Sequence, residues 1–217
     1  MSNADESVWP ALLRGIEEAQ VDVEVLPVDP VRGRAALEGL QLTERSALGS
    51  IAAHAGGLAL DTRWLRIFGS GSPGLPGLAE QSSGATSQSH LVVAFDALGG
   101  RFAIDGGGLG VAAGEVCYWG PDTLAWSGIG GGYSEFIAWA LGGGLPEFYG
   151  TLRWDDWQDE TRSLGLDQGW SLYPPPFSEQ GQDANSVSRA VVPLVELHSF
   201  YADVARQFDA GGTEAQL

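Results

Sequence analysis

The chain contains no lysine, and this absence excludes several reaction mechanisms. All 11 basic residues among its 217 residues are arginine. A nucleoside-triphosphate site of the Walker type, a pyridoxal-phosphate Schiff base and a Ser-x-x-Lys nucleophile pair each need a lysine amine. None of these three chemistries is open to this protein.

Reactive residues of other kinds are also scarce. Cys117 is the single cysteine, so no disulfide can form within the chain, and the alternating run EVCYW predicts a buried, unreactive thiol there. The three histidines, His54, His90 and His198, are scattered, and no HExxH, Cys-x-x-Cys or Gly-x-Ser-x-Gly motif occurs. We therefore expect no metal site, no cofactor and no catalytic residue, which favours a binding protein over an enzyme.

Long apolar runs and positive charge are missing as well. The N-terminal residues MSNADESVW lack the features of a signal peptide, and no segment reaches the length that spans a bilayer. We expect a cytoplasmic protein with a mobile N-terminus. The formal charge of −17, from 28 acidic and 11 basic side chains, opposes binding to nucleic acid and to membranes. The same charge either serves solubility or steers a basic partner toward the protein.

Hydrophobic periodicity predicts helices near both ends of the chain. Asp29 followed by Pro30 is typical of a helix N-terminus, and Ser134 is a candidate cap for the helix EFIAWAL, which Gly142 ends. Pro193 is expected to kink the last helix or to mark its start. The other predicted helices cover residues 6–20, 30–40, 46–55, 145–163 with a bend at Gly150, and 186–208.

Between the helices, short runs of strand-forming residues are separated by turns. LALD and WLRIFG predict one hairpin, LVVAFDA and RFAID a second, and GEVCYWG and DTLAWS a third. The alternation of Val21, Val23 and Val25 adds a further strand, and residues 69–90 predict a long loop with one helical turn near 75–80. Strands joined by tight turns pair in antiparallel fashion. We therefore predict one α+β domain over residues 1–217, with a central, mostly antiparallel sheet.

Two motifs have simple structural explanations. Gly108-x-Gly110-x-x-Ala113 matches a dinucleotide-binding loop only weakly, because a strand rather than a helix follows it. The acidic cluster in WDDWQDE is more typical of a solvated helix face than of a catalytic or metal site. We expect neither motif to carry chemistry.

The aromatic stretch from Gly114 to Trp157 contains five of the eight tryptophans. Together with SALGSIAAHAGGLAL, WLRIFGSGS, FDALGGRFAIDGG and DQGWSLYPPPF, its motifs resemble a bacterial family known as domain of unknown function twenty-six twenty-five. The wider order of elements resembles the SUKH superfamily, named from Syd, US22, Smi1 and Knr4 proteins. The segments that depart from the SUKH pattern are the loop at 69–90 and DQGWSLYPPPF.

The SUKH resemblance implies an α+β fold that binds proteins without catalysis, often as an immunity protein against a toxin. A basic toxin would then be the partner. Core packing is the alternative role for each residue of the implied binding face, because large aromatic side chains in strands usually fill interiors. The candidate binding residues are Asp61, Trp64, Arg66, Trp119, Asp122, Trp126, Tyr133 and Tyr173.

A second hypothesis is a small-molecule or glycan site, or a hydrolase, that uses a pocket lined by tryptophans with a carboxylate nearby. It would draw on Trp119, Trp126, Trp154 and Trp157. This hypothesis requires the four indoles to share one concave surface.

Overall fold

The computed structural model describes residues 7–81 and 89–214, and its architecture is α+β. The main sheet has seven strands in chain order, and every neighbouring pair is antiparallel. A smaller sheet pairs two further strands. The predicted fold class is confirmed. The strands are β1 (Val23–Leu26), β2 (Gly57–Leu60), β3 (Leu65–Phe68), β4 (His90–Asp96), β5 (Arg101–Asp105), β6 (Val116–Trp119), β7 (Trp126–Gly128), β8 (Gln168–Tyr173) and β9 (Ser188–Pro193).

Eight α-helices lie within the described residues. None of them combines the length and the apolar character that crossing a bilayer requires. The first six residues and residues 82–88, which the predicted mobile N-terminus and loop include, lie outside the described part of the chain. The helices are α1 (Trp9–Glu17), α2 (Pro30–Gly39), α3 (Ala47–His54), α4 (Leu78–Gln81), α5 (Tyr133–Leu141), α6 (Leu145–Phe148), α7 (Trp157–Thr161) and α8 (Leu194–Glu214).

Local sequence signals determine several of these elements. The Asp29 carboxylate accepts hydrogen bonds from the backbone N–H groups of Val31 and Arg32 at 3.0 and 3.1 Å, so it caps α2 as predicted. Ser46 caps α3 by accepting from Gly49 N at 3.0 Å. All three predicted hairpins form, as β2–β3, β4–β5 and β6–β7.

The C-terminal region differs from the prediction of a helix over 186–208. Residues 188–193 form β9, which pairs with β8, and α8 begins only after Pro193. The apolar residues at 187, 191 and 194 fit a helical period, but Val191 lies opposite Trp170 in the small sheet. Proline has no backbone N–H to donate within a helix, so it is disfavoured in a helix interior. Pro193 accordingly ends β9, and α8 begins at the next residue.

The helix predicted over 145–163 was also wrong. Two short helices, α6 and α7, are separated by an irregular segment that buries Leu152 and Trp154. A continuous helix would not direct both side chains into the core. At α5, the first helical residue is Tyr133 and the cap is Gly132 rather than Ser134; the Glu135 carboxylate accepts from Gly132 N at 3.1 Å.

The two faces of the main sheet carry different side chains. Phe102 packs against Phe136 of α5, with ring centroids 4.9 Å apart. Arg101, the preceding residue of β5, points to the opposite face, where it lies beside Trp119. Trp119 contacts Tyr201 of α8 with ring centroids 5.9 Å apart. Both faces of the sheet are therefore packed, one against α5 and the other against α8.

A buried carboxylate connects the central strands. Asp96, at the end of β4, is fully buried, and its Oδ1 accepts from the backbone N–H groups of Leu98 and Gly100, both at 2.8 Å. Its Oδ2 accepts from the hydroxyls of Tyr118 at 2.7 Å and Tyr149 at 3.2 Å. Burial raises the pKa of Asp96, and the four donors act in the opposite direction. The approach is so close that Gly100 has no room for a side chain.

We predict that Asp96→Ala lowers the free energy of unfolding by about 4 kcal/mol, because four buried donors lose their acceptor. Tyr149→Phe, which removes only the longest of the four bonds, should cost about 1 kcal/mol. Urea denaturation of both variants measures the difference. An Asp96→Ala protein as stable as the Tyr149→Phe protein would contradict this role.

Candidate binding site

Three side chains form a row across the end of the main sheet. Arg101 of β5 lies directly opposite Trp119 of β6, and Trp119 lies opposite Trp126 of β7. The guanidinium carbon of Arg101 is 4.7 Å from the ring centroid of Trp119 and 5.7 Å from that of Trp126. Both distances are within cation–π range, so the two indoles hold the guanidinium. We call these three residues, together with His90, the Arg101 face.

Arg101 has no ion-pair partner among residues 7–81 and 89–208. Its Nε is buried and makes no hydrogen bond, and burial alone lowers its pKa. The side chain remains charged at neutral pH, because the ordinary pKa of arginine is so high. This isolation is unusual in a protein with 28 acidic residues. Six other arginines do pair with carboxylates: Arg32, Arg63, Arg153, Arg162, Arg189 and Arg206.

Two histidines flank this cation. The His90 ring lies 5.1 Å from that of Trp126. His198 of α8 packs on Phe95, the residue opposite Arg101 in β4, with ring centroids 4.4 Å apart. Burial and then the charge of Arg101 lower the pKa of both histidines, that of His198 to about 4. At neutral pH the site therefore carries one positive charge and two neutral imidazoles.

A second aromatic cluster encloses an ion pair. Arg153 Nη2 lies 2.7 Å from Asp61 Oδ2, and both side chains are less than a tenth exposed. The guanidinium carbon of Arg153 lies 3.8 Å from the Trp157 ring, 4.7 Å from Trp64 and 5.0 Å from Tyr149. Burial raises the pKa of Asp61, and Arg153 opposes that shift. Arg153 thus fills an aromatic box that would otherwise suit a cationic ligand.

An open cleft of about 420 Å³ borders this second cluster, and its walls include Asp61, Trp154, Asp155 and Trp157. The turn at its edge is strained: Asp61, Thr62 and Arg63 have φ angles of 53°, 57° and 63°. Arg153 covers one face of the Trp157 indole. That face is unavailable to a stacking sugar.

The structure divides the predicted binding residues among several environments. Trp119 and Trp126 meet at Arg101, whereas Asp61 and Trp64 lie in the Arg153 cluster. The four tryptophans of the glycan hypothesis are likewise divided, two at each cluster. They do not form one surface.

The remaining predicted residues have other environments, although Arg66 shares a face of the sheet with Arg101, because it lies opposite Phe95. Arg66 is fully buried and donates from Nη1 to the carbonyl oxygen of Gln168 at 2.6 Å. Tyr133 packs against Phe136, on the α5 side of the sheet. Asp122 is exposed in the β6–β7 turn, and Tyr173 is 75% exposed at the end of β8. Tyr133 therefore does not share a face with Trp119 and Trp126.

Sequence reasoning missed Arg101, His198 and Arg153. Antiparallel pairing of successive strands predicts that β5 lies beside β6, but the long connection between them leaves open the register that places Arg101 opposite Trp119. His198 becomes part of the site only when α8 docks on the sheet. The acidic cluster at 155–160 forms no set of three metal ligands within the described residues, and its Glu160 pairs with Arg189.

Comparison with known proteins shows the family of this chain. Residues 1–197 match the model of DUF2625, a family described as proteins of unknown function, and the chain belongs to it. The uncharacterised protein YbfG of Escherichia coli (strain K12) is 37% identical over 198 residues, which is 90% of each chain. An uncharacterised protein of Haemophilus influenzae is 33% identical over 181 residues, 80% of this chain and 79% of the relative. No solved structure matches. The SUKH resemblance stays a prediction.

We predict that Asp61→Asn lowers the free energy of unfolding by roughly 3 kcal/mol, because it leaves the buried Arg153 without a counter-ion. Asparagine tolerates the positive φ at this position, so the change isolates the charge. Asp159→Asn is the matched control, since Asp159 pairs with Arg162 at 3.7 Å and both side chains are mostly exposed. Chemical denaturation should show less than about 0.5 kcal/mol for the control. Equal effects would contradict a structural ion pair.

We predict that His198 makes the protein less stable in acid. Its pKa is about 4 in the folded protein, below the ordinary 6.5, so between these values the unfolded chain binds more protons than the folded protein. The contribution of His198 to the free energy of unfolding is fully present above about pH 6.5. It falls by roughly 3 kcal/mol as the pH drops to about 4.

Denaturation of wild type and His198→Gln over this pH range tests the effect. The difference between the two proteins isolates His198, because the carboxylates titrate in both. The variant should lose less stability than wild type as the pH falls. Parallel curves would show that His198 does not titrate in this way.

Proposed function

We propose that this protein is a non-catalytic module that binds another protein through the Arg101 face. The observation that carries the proposal is a charged arginine that lies between two tryptophans and has no carboxylate partner in the described chain. Arginine and tryptophan are the residue types most enriched among the energetic centres of protein interfaces. A binding role accounts for a charge that the fold itself leaves uncompensated.

The position of the Arg101 face at the edge of the sheet supports the proposal. β7 is the last strand of the main sheet and pairs only with β6 among the described strands. Trp126 is half-buried, and the two residues that follow it, Ser127 and Gly128, are exposed. An open strand edge offers backbone hydrogen bonds to a partner, while neighbouring side chains supply specificity. The same edge therefore offers two kinds of contact.

The reactive groups on this side of the molecule are poorly suited to covalent chemistry. Cys117 of β6 is completely buried, and burial raises its pKa, which disfavours the nucleophilic thiolate. His90 and His198 carry lowered pKa values beside a fixed positive charge. These features favour recognition over catalysis.

We extend the proposal to an immunity-type function against a basic protein such as a toxin. The net charge of −17 supports this extension, because an acidic protein attracts a basic partner and speeds their encounter. Arg101 would then bind one acidic group on the otherwise basic surface of the partner. Ligand binding in the Asp61 cleft is the second hypothesis, and the position of Arg153 against Trp157 disfavours glycan stacking there.

Site-specific photocrosslinking tests the proposal. A photoreactive amino acid placed at Trp126, in the full chain expressed in cells that carry the gene natively, should give a discrete protein adduct that mass spectrometry identifies. The control position is Val31, which is 78% exposed on α2, a helix that packs against α3 and α4. Trp126→Ala should abolish capture of the same partner by tagged protein, and Val31→Ala should preserve it.

The proposal fails under either of two results. Adducts that are the same at positions 126 and 31 would indicate nonspecific contact. Capture that survives Trp126→Ala would place the interface elsewhere.

A further inference from the structure

Two buried polar atoms near the Arg101 face have no hydrogen-bond partner in the described chain. They are Nε of Arg101 and Nε2 of His198. Leaving such groups unpaired costs about 1–3 kcal/mol each, so native proteins pair most of them. Phe95 links the two side chains, because it lies opposite Arg101 in the sheet and under the His198 ring. Both atoms lie below the surface, so a ligand can reach only the terminal Nη groups of Arg101, which are not among the buried unpaired atoms.

The orientation of the guanidinium leaves donors free. Trp119 and Trp126 contact Arg101 through their aromatic rings, at centroid distances of 4.7 and 5.7 Å. Cation–π contact uses the charge of the guanidinium and consumes none of its N–H groups. The two indoles therefore restrict the side chain while its donors stay available. Such a fixed fork suits the paired oxygens of a carboxylate or phosphate.

One carboxylate on the same face of the sheet is engaged elsewhere. Asp105 shares the sheet face with Arg101 but lies four residues along β5, at roughly 13 Å by strand geometry. Its Oδ1 accepts from the backbone N–H groups of Gly107, Gly108 and Leu109 at 2.7, 2.8 and 3.0 Å. It belongs to its own turn and does not neutralise Arg101.

The other buried arginines show why Arg101 is distinct. Arg153 pairs with Asp61. Arg66 also has free nitrogens, but it is fully buried and donates to Gln168, so no ligand reaches it. Arg101 is only half-buried. Among these three it alone combines an unpaired charge with access from outside.

We infer that Arg101, held by Trp119 and Trp126, is an oxyanion site that takes a carboxylate or phosphate group of the ligand. Arg101 donates to the oxygens from its terminal Nη groups. This inference rests on the proposed function, since the anion belongs to whatever binds the Arg101 face. It specifies the chemical group that Arg101 recognises on the ligand.

NMR titration of the full-length, ¹⁵N-labelled protein tests the inference. The probes are sodium glutarate for a carboxylate and inorganic phosphate for a phosphate, each added at constant ionic strength against sodium chloride. We expect the Nε–H signal of Arg101 and the indole N–H signals of Trp119 and Trp126 to move and saturate in the millimolar range. The probe that saturates first identifies the source of the oxyanion.

Arg101→Gln should weaken this binding at least about tenfold, because it removes the charge-assisted donors. Arg162→Gln makes the same change in charge at an exposed residue whose side chain is 72% accessible, and it should bind both probes like wild type. The remaining signals of each spectrum report whether a variant is folded. If Arg101→Gln does not fold, the wild-type titration alone decides whether the protein has the oxyanion site.

Failure of this inference is distinct from failure of the proposed function. Shifts that never saturate with either probe, or that persist unchanged in folded Arg101→Gln, overturn the oxyanion site. Crosslinking at Trp126 can still succeed in that case, and the protein-binding role then stands without it. Saturable anion binding without any partner at Trp126 would support the oxyanion site and contradict the protein-binding role.

Discussion

The four hydrogen bonds of Asp96 are the constraint on which the rest of this structure depends. They join the β4–β5 turn, through Gly100, to β6, through Tyr118. Arg101 and Trp119 are the next residues along these two strands, and successive residues of a strand point to opposite faces. By fixing Gly100 and Tyr118 on the α5 side, the buried carboxylate also fixes Arg101 and Trp119 on the α8 side. The core and the Arg101 face are therefore built by the same contacts.

The positive charges of Arg153 and Arg101 are stabilised in different ways. Arg153 is enclosed by three aromatic rings and neutralised by Asp61, which makes a closed, structural arrangement. Arg101 has two aromatic rings and no carboxylate partner among the described residues. A charge left uncompensated in a half-buried position destabilises the free protein, and a binding partner can recover that energy. Because of this contrast, we propose a binding role for Arg101 and a stabilising role for Arg153.

Sequence patterns sufficed for several elements whose determining contact is local, although the predicted cap of α5, Ser134, was wrong. Asp29 and Ser46 cap their helices with neighbours two or three residues away, and short turns define the hairpins. Patterns failed where a distant partner decided the outcome: Val191 fits a helical stripe, yet pairing with Trp170 makes it part of a strand. The residues of the candidate binding site show the same difference between local and distant contacts. Trp119 and Trp126 share one hairpin and could be foreseen together, whereas His198 reaches the site only through the docking of α8.

We propose that the partner binds at the Arg101 face and not at the Asp61 cleft. Hydrogen–deuterium exchange of the full-length protein, alone and with the partner captured at Trp126, tests it most directly. Binding should slow exchange in β5, β6 and β7, with little change around Asp61 and Arg153. Protection confined to the Asp61 cleft, with unchanged exchange across β5 to β7, would contradict the account.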